Sequence, residues 1–124
     1  AARRGDRAAA LADALAIDAV EPCAVTALDD TRYDAIVNAT PVGMTGGPDP
    51  ATSPLPATVP VDDGVTVLDT VYTPPITPLL EDAATRGAAI VTGEDMFVRQ
   101  AAAQCSRWTG HADPLPLYRA ALSA

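Results

Sequence analysis

An α/β fold with a parallel sheet is what this sequence predicts, and three observations carry the prediction. Apolar runs without polar alternation lie in residues 33–40, 65–71 and 88–92, as expected of strands covered on both faces. Helix-like stretches alternate with them, the pattern of strand–helix–strand units. The 12 prolines and 8 glycines fall mainly in the connecting stretches, without a repeat, which excludes a collagen-like or wholly disordered chain. At 124 residues the chain makes one modest domain or part of a larger one. With 48% hydrophobic residues but only 4% aromatics, the core must be built from small and aliphatic side chains.

The elements follow in order. Residues 6–16 (DRAAALADALA) read as an amphipathic helix, with Leu11 and Leu15 one turn apart. Residues 17–28 are expected to hold a short strand and a turn, broken at Pro22. The first clear strand is 33–40 (YDAIVNAT). Residues 41–63, rich in Pro, Gly, Ser and Thr, form a long surface loop. A second strand follows at 65–71 (VTVLDTV). Thr77 is the expected N-cap of a helix reaching Arg86, with Pro78 in its first position and Gly87 as its stop. Residues 88–92 give a third strand. Residues 94–108 give the strongest helix, with Glu94 and Asp95 in the first turn, where the helix dipole favours acids. Its stripe of Phe97, Ala101, Cys105 and Trp108 is assigned to the core. A last helix spans roughly 114–122, with Pro114 in its first turn. No strand precedes the first helix, so the sheet is expected to be incomplete and the chain a fragment.

Charge and composition narrow the function. Sixteen acids against eight bases give a net charge of -8, which disfavours nucleic acid and anionic lipid as partners. All eight bases are arginine, so no mechanism in these residues can use a lysine. Two cysteines and one histidine support neither a disulfide framework nor a metal site. Cys23 and Cys105 read as inert thiols, and His111 as a surface residue. No signal peptide is recognisable, and no apolar run approaches the roughly 20 residues that span a bilayer. A cytoplasmic address is the expectation.

Four segments could carry chemistry. Arg3, Arg4 and Arg7 cluster at the start of the first helix, where guanidinium forks and free N–H groups attract phosphate. In a dinucleotide-binding fold, arginine at this place suits a ribose 2′-phosphate; a solvated basic terminus is the plainer reading. Asn38, Ala39 and Thr40 leave the first strand at its carboxyl end, where ligands sit in open α/β sheets; an ordinary strand-to-loop turn fits equally well. Thr70 and Tyr72 leave the second strand at the same edge, with a packed boundary tyrosine as the alternative. Gly93 ends the third strand, and Met96 and Gln100 share one face of the helix behind it. That glutamine is either a ligand for a hydroxylated substrate or simply solvated.

Taken together, ARRGDRAAALA, YDAIVNATPVGM, SPLP, VLDTVYTPPITPLLEDAATRGA and VTGEDMFVRQAAAQCSRWTG resemble the C-terminal, NADP-binding half of shikimate dehydrogenases. The resemblance runs from about Ala2 to Gly110. It implies a Rossmann-like parallel sheet with flanking helices, here incomplete, as a single partial domain over residues 1–124. The SPLP loop and the TVYTPPITPLL wording resemble the form fused behind a type I 3-dehydroquinate dehydratase.

The resemblance also assigns roles. The family's adenosine-phosphate motif, Asn-Arg-Thr-x-x-Arg, falls on Ala2, Arg3, Arg4 and Arg7. Both of its arginines are kept, which implies NADP; Ala2 and Arg4 replace its asparagine and threonine. Asn38, Ala39, Thr40 and Thr70 match the nicotinamide side, Gly93 and Met96 match cofactor contacts, and Tyr72 and Gln100 match substrate-binding positions. The family's glycine-rich loop with its first strand, and the N-terminal substrate domain with a catalytic lysine and aspartate, are not in this sequence. The implied enzyme therefore interconverts 3-dehydroshikimate and shikimate, in aromatic amino acid biosynthesis, with no catalytic residue in this stretch. The stretch alone is expected to be inactive and to need the substrate domain, with a homodimer of the parent as a further expected partner. Two alternatives stand beside this: a quinate/shikimate dehydrogenase using NAD, and a non-catalytic binding or assembly module that pairs through an open sheet edge.

Overall fold

The structure, a computed structural model, describes residues 1–122. Three short parallel strands, β1 (Ala35–Asn38), β2 (Thr66–Asp69) and β3 (Ala89–Val91), lie side by side in that order. Four helices accompany them: α1 (Gly5–Leu15), α2 (Pro78–Thr85), α3 (Gly93–Thr109) and α4 (Leu115–Leu122). The register pairs Asn38 with Asp69, so the carboxyl ends of β1 and β2 are level. This is the expected strand–helix alternation.

The core lies between β2 and α2. Val61, Val65, Val67, Leu79, Leu80, Ala83 and Ala88 are buried together, with Ile36, Leu55 and Ile90 packed against them. Small and aliphatic side chains do this work, as the composition requires. Helix α2 begins as its sequence dictates: the Thr77 hydroxyl accepts from the Leu80 amide, and Pro78 occupies the first turn. Thr77 is itself buried and donates to Asp69 at 2.7 Å. Thr77→Val, which keeps the volume, removes both the cap and the donor to Asp69 Oδ2 and is expected to cost about 1.5–3 kcal/mol, read as a lower midpoint in urea unfolding.

Several expectations are corrected. The stripe of Phe97, Ala101, Cys105 and Trp108 is not core: Phe97 is 53% and Trp108 77% exposed, and the buried positions of α3 are Gly93, Val98 and Ala102. The reason is orientation. Val98 and Ala102, one turn apart, form the inward face, with Ala102 beside buried Pro114 and beside Leu115 at the start of α4, and the Phe97–Trp108 stripe lies on another side of the helix. Strand β1 is covered on one face only: Ile36 packs on the core, while Ala35 and Val37, on the opposite face, are exposed, Val37 to 60%. Helix α1 forms, yet Leu11 and Leu15 are exposed and the helix buries no residue. Residues 17–28 contain no regular strand. They hold a 3₁₀ turn at Val25–Ala27 and a single parallel bridge from Ala24 to Ala2. Among the described residues, no helix is long and apolar enough to cross a membrane.

Candidate functional site

The carboxyl ends of β1 and β2 meet in a buried polar hub. Oδ1 of Asp69 accepts from Asn38 Nδ2 at 2.9 Å and from the Val71 amide at 3.0 Å; Oδ2 accepts from the Thr77 hydroxyl at 2.7 Å. Asn38 accepts in turn from the Thr40 amide at 3.0 Å and the Thr40 hydroxyl at 2.7 Å, and its Nδ2 also reaches the Val42 carbonyl at 3.3 Å. Burying a carboxylate is costly unless its lone pairs are met. Here three donors meet Asp69, and no buried side-chain polar atom among the described residues lacks a partner. The hub ties the end of β1, the end of β2 and the start of α2 into one unit.

Two clefts open around it. One, about 360 Å³, is walled by Ala39, Thr40 and Met44 from the β1 loop and by Thr70 and Tyr72 from the β2 loop. The other, about 430 Å³, runs along β1 and is lined by Arg3, Val37, Asn38, Ala39 and Thr40. Ala39 and Thr40 belong to both, so they form the shared wall. The turn after them depends on Gly43, whose φ of +87° suits glycine. A hydrogen bond of 2.8 Å from the Thr45 amide to the Thr73 carbonyl ties the two loops together.

Gly93 sits directly behind the β2 loop. A Cβ there would lie 2.3 Å from the Val71 carbonyl oxygen and 2.7 Å from that of Thr70. Only glycine lets α3 start this close. The ring of Tyr72 meets that of Phe97 with centroids 6.1 Å apart, which draws the first turns of α3 toward the β2 loop. Met96 is half-buried beside Phe97 and Gln100 is exposed one turn on; neither lines the two clefts. The expected site residues on β1 and β2 are therefore brought together, whereas Met96 and Gln100 stand on the adjoining helix.

The arginines separate. Arg4 is paired with Asp6 in the first turn of α1, and the pairing raises the Arg4 pKa and lowers that of Asp6. Arg3 and Arg7 form no side-chain hydrogen bond or ion pair among the described residues, and Arg3 lines the β1 cleft. The N-cap of α1 carries no side-chain hydrogen bond, and the first turn holds the Asp6 carboxylate near its own and the Arg7 amide, so the free guanidinium groups at this end, among the described residues, are those of Arg3 and Arg7. The chemistry on offer is anion capture beside the Asn38–Thr40 wall.

The sequence reading missed Asp69 as the organiser of the site. The signal available was an acid ending an apolar strand, level with an asparagine ending its neighbour. A larger cavity of about 630 Å³ lies between α3 and α4, lined by Cys105, His111, Leu117 and Tyr118 among others. It is away from the strand ends and contains none of the expected site residues. There the Cys105 thiol pushes the Tyr118 phenol above its ordinary pKa.

Comparison with known proteins agrees with this architecture. No protein-family model matches the chain. The shikimate dehydrogenase (NADP(+)) of Halobacterium salinarum is 44% identical over 126 residues, covering 98% of this chain and 46% of the relative. That of Chlorobaculum tepidum is 42% identical over 100 residues, covering 80% of this chain and 33% of the relative. Among solved structures, a shikimate 5-dehydrogenase from Thermus thermophilus in complex with NADP(H) and shikimate is 33% identical, with a TM-score of 0.72 over 94% of this chain and 41% of its own. A quinate dehydrogenase from Corynebacterium glutamicum in complex with NAD is 29% identical, with a TM-score of 0.81 over 98% of this chain and 44% of its own. The chain thus spans less than half the length of these relatives. Over the stretch that it matches, and with the Rossmann-like sheet that it shares with them, the chain belongs to the shikimate dehydrogenase family.

Proposed function

We propose that this chain forms the NADP-holding side of an enzyme that interconverts 3-dehydroshikimate and shikimate. The observation that carries the reading is the joined strand edge: one buried hub sets Ala39–Thr40 and Thr70–Tyr72 around a common cleft, with unpaired Arg3 lining the cleft beside it. The donor set fits the cofactor. Arg3 and Arg7 offer guanidinium forks to a 2′-phosphate, while an acid would be expected there for NAD. That arrangement weighs against a quinate enzyme using NAD.

The cofactor, when bound, supplies or takes up the hydride. The residues of this chain bind and orient. Arg3 and Arg7 anchor the adenosine end. The backbone at Ala39–Thr40 and Thr70 walls the nicotinamide end and narrows the access of water there. Tyr72 offers its hydroxyl to the substrate ring, and Gln100 approaches from α3. The general acid at the reacting oxygen comes from the separate substrate-binding portion that the longer relatives have room for. The working enzyme would be soluble, in the cytoplasm.

Steady-state kinetics of the intact parent enzyme, with its substrate-binding portion, using shikimate and quinate each against NADP+ and NAD+, test the proposal. The shikimate and NADP+ pair is expected to give the highest kcat/KM; a higher value for quinate with NAD+ would overturn it. Tyr72→Phe and Gln100→Ala are each expected to lower kcat/KM for shikimate by about tenfold, the cost of one unpaired polar partner, with NADP+ affinity unchanged. Normal kinetics in both variants would remove these residues from the site.

A further inference from the structure

We infer that Asp69 is a positioning residue that fixes the nicotinamide-side wall by dictating which way the Asn38 amide faces. An asparagine amide has a donor end and an acceptor end. Asp69 presents only acceptor oxygens to Asn38, at 2.9 Å, so Nδ2 must turn toward it. Oδ1 is then obliged to face Thr40, where it receives both the backbone amide and the hydroxyl. Thr40 Oγ1 passes the order on by accepting from the Val42 amide at 3.3 Å. The chain Asp69–Asn38–Thr40–Val42 thus runs from the interior to the wall shared by both clefts.

The same carboxylate holds the opposite wall. Its bond to the Val71 amide fixes the backbone between Thr70 and Tyr72. One buried group therefore sets the separation of the β1 and β2 loops. Its third bond, to Thr77, goes to the residue that caps α2. That division of labour makes positioning separable from stability. What Asp69 must provide toward Asn38 and Val71 is an acceptor, not a charge. Asp69→Asn can supply it, with Oδ1 toward those two donors and Nδ2 toward the Thr77 oxygen. Without that acceptor, the Asn38 amide is held only by the two Thr40 donors and the longer 3.3 Å bond to the Val42 carbonyl, and its grip on the wall loosens.

The test compares Asp69→Asn, Asp69→Leu, Asn38→Ala and Thr77→Val by amide hydrogen exchange and by NADP+ titration. Asp69→Leu and Asn38→Ala are expected to speed exchange at Thr40 and Val42 by about tenfold and to raise the Kd for NADP+ by a similar factor. Asp69→Asn should stay within about threefold on both readouts. Thr77→Val should lower the melting temperature and speed exchange at Leu80, leaving Thr40 and the Kd as they were. Should Asp69→Leu fail to fold, Asp69→Ser replaces it: a hydroxyl there can still meet the Val71 amide but is too short for Asn38. Unchanged Thr40 exchange in Asn38→Ala and the acceptor-less Asp69 variant would overturn the inference. So would parallel losses in all four variants, which mark a purely structural role. The affinity arm rests on the function proposed above; the exchange arm does not. Failure of the unaltered parent enzyme to bind NADP+ would sink that function while exchange still decides the role of Asp69.

Discussion

Gly93→Ala is expected to destabilise the protein by about 3 kcal/mol, at the upper end of the usual cost of overpacking. The added Cβ would meet three backbone atoms, 2.3 Å from Val71 O, 2.6 Å from Val71 C and 2.7 Å from Thr70 O. Backbone cannot swing aside as the tip of a long side chain can, so the start of α3 must move away from the β2 loop. That loop carries Thr70 and Tyr72, so the damage extends to the cleft. Urea unfolding checks the first consequence and NADP+ titration the second. An unchanged midpoint would show that α3 does not seat on Thr70 and Val71 as closely as the structure has it.

In the intact parent enzyme, Arg3→Ala should weaken NADPH more than NADH. Losing one charge-assisted hydrogen bond costs roughly 1.5–3 kcal/mol, or about tenfold to a hundredfold in Kd. The case for Arg3 rests on two findings: it forms no internal ion pair, and it lines the cleft that contains Asn38–Thr40. Arg4→Ala serves as the comparison. Its guanidinium is already held by Asp6 on the surface, so its removal should change the NADPH and NADH affinities by nearly the same small factor. Equal losses of both cofactors in Arg3→Ala would show that Arg3 does not touch the 2′-phosphate.

Much of the fold was legible because local chemistry and tertiary structure agree. Thr77-Pro78 starts α2 and Gly87 follows its end, with φ at +89°. Apolar strands 35–38 and 66–69 fall inside the predicted runs. The errors lie where burial depends on partners that a single segment does not reveal. Val37 looks like a buried strand residue by its neighbours, yet it lies with Ala35 on the face of β1 that is left uncovered. Phe97 and Trp108 share a helical stripe with Ala101 and Cys105, yet the face that packs inward is that of Val98 and Ala102, beside the start of α4. The site was legible as segments: Asn38–Thr40 and Thr70–Tyr72 both leave strands at one edge. Their connection was not, because Asp69 joins them across 31 positions of sequence and takes a partner on α2 besides. Periodicity carries no information about such a bond. The resemblance of the segments to one family supplied the cofactor and the substrate, which residue types alone left open.

The most direct measurement is calorimetric titration of NADP+ and NAD+ into the unaltered parent enzyme at matched ionic strength. The structure places two unpaired arginines at the uncapped start of α1. NADP+ is therefore predicted to bind at least about tenfold tighter than NAD+, the worth of one charge-assisted contact to the extra phosphate. Equal affinities, or a preference for NAD+, would contradict the account.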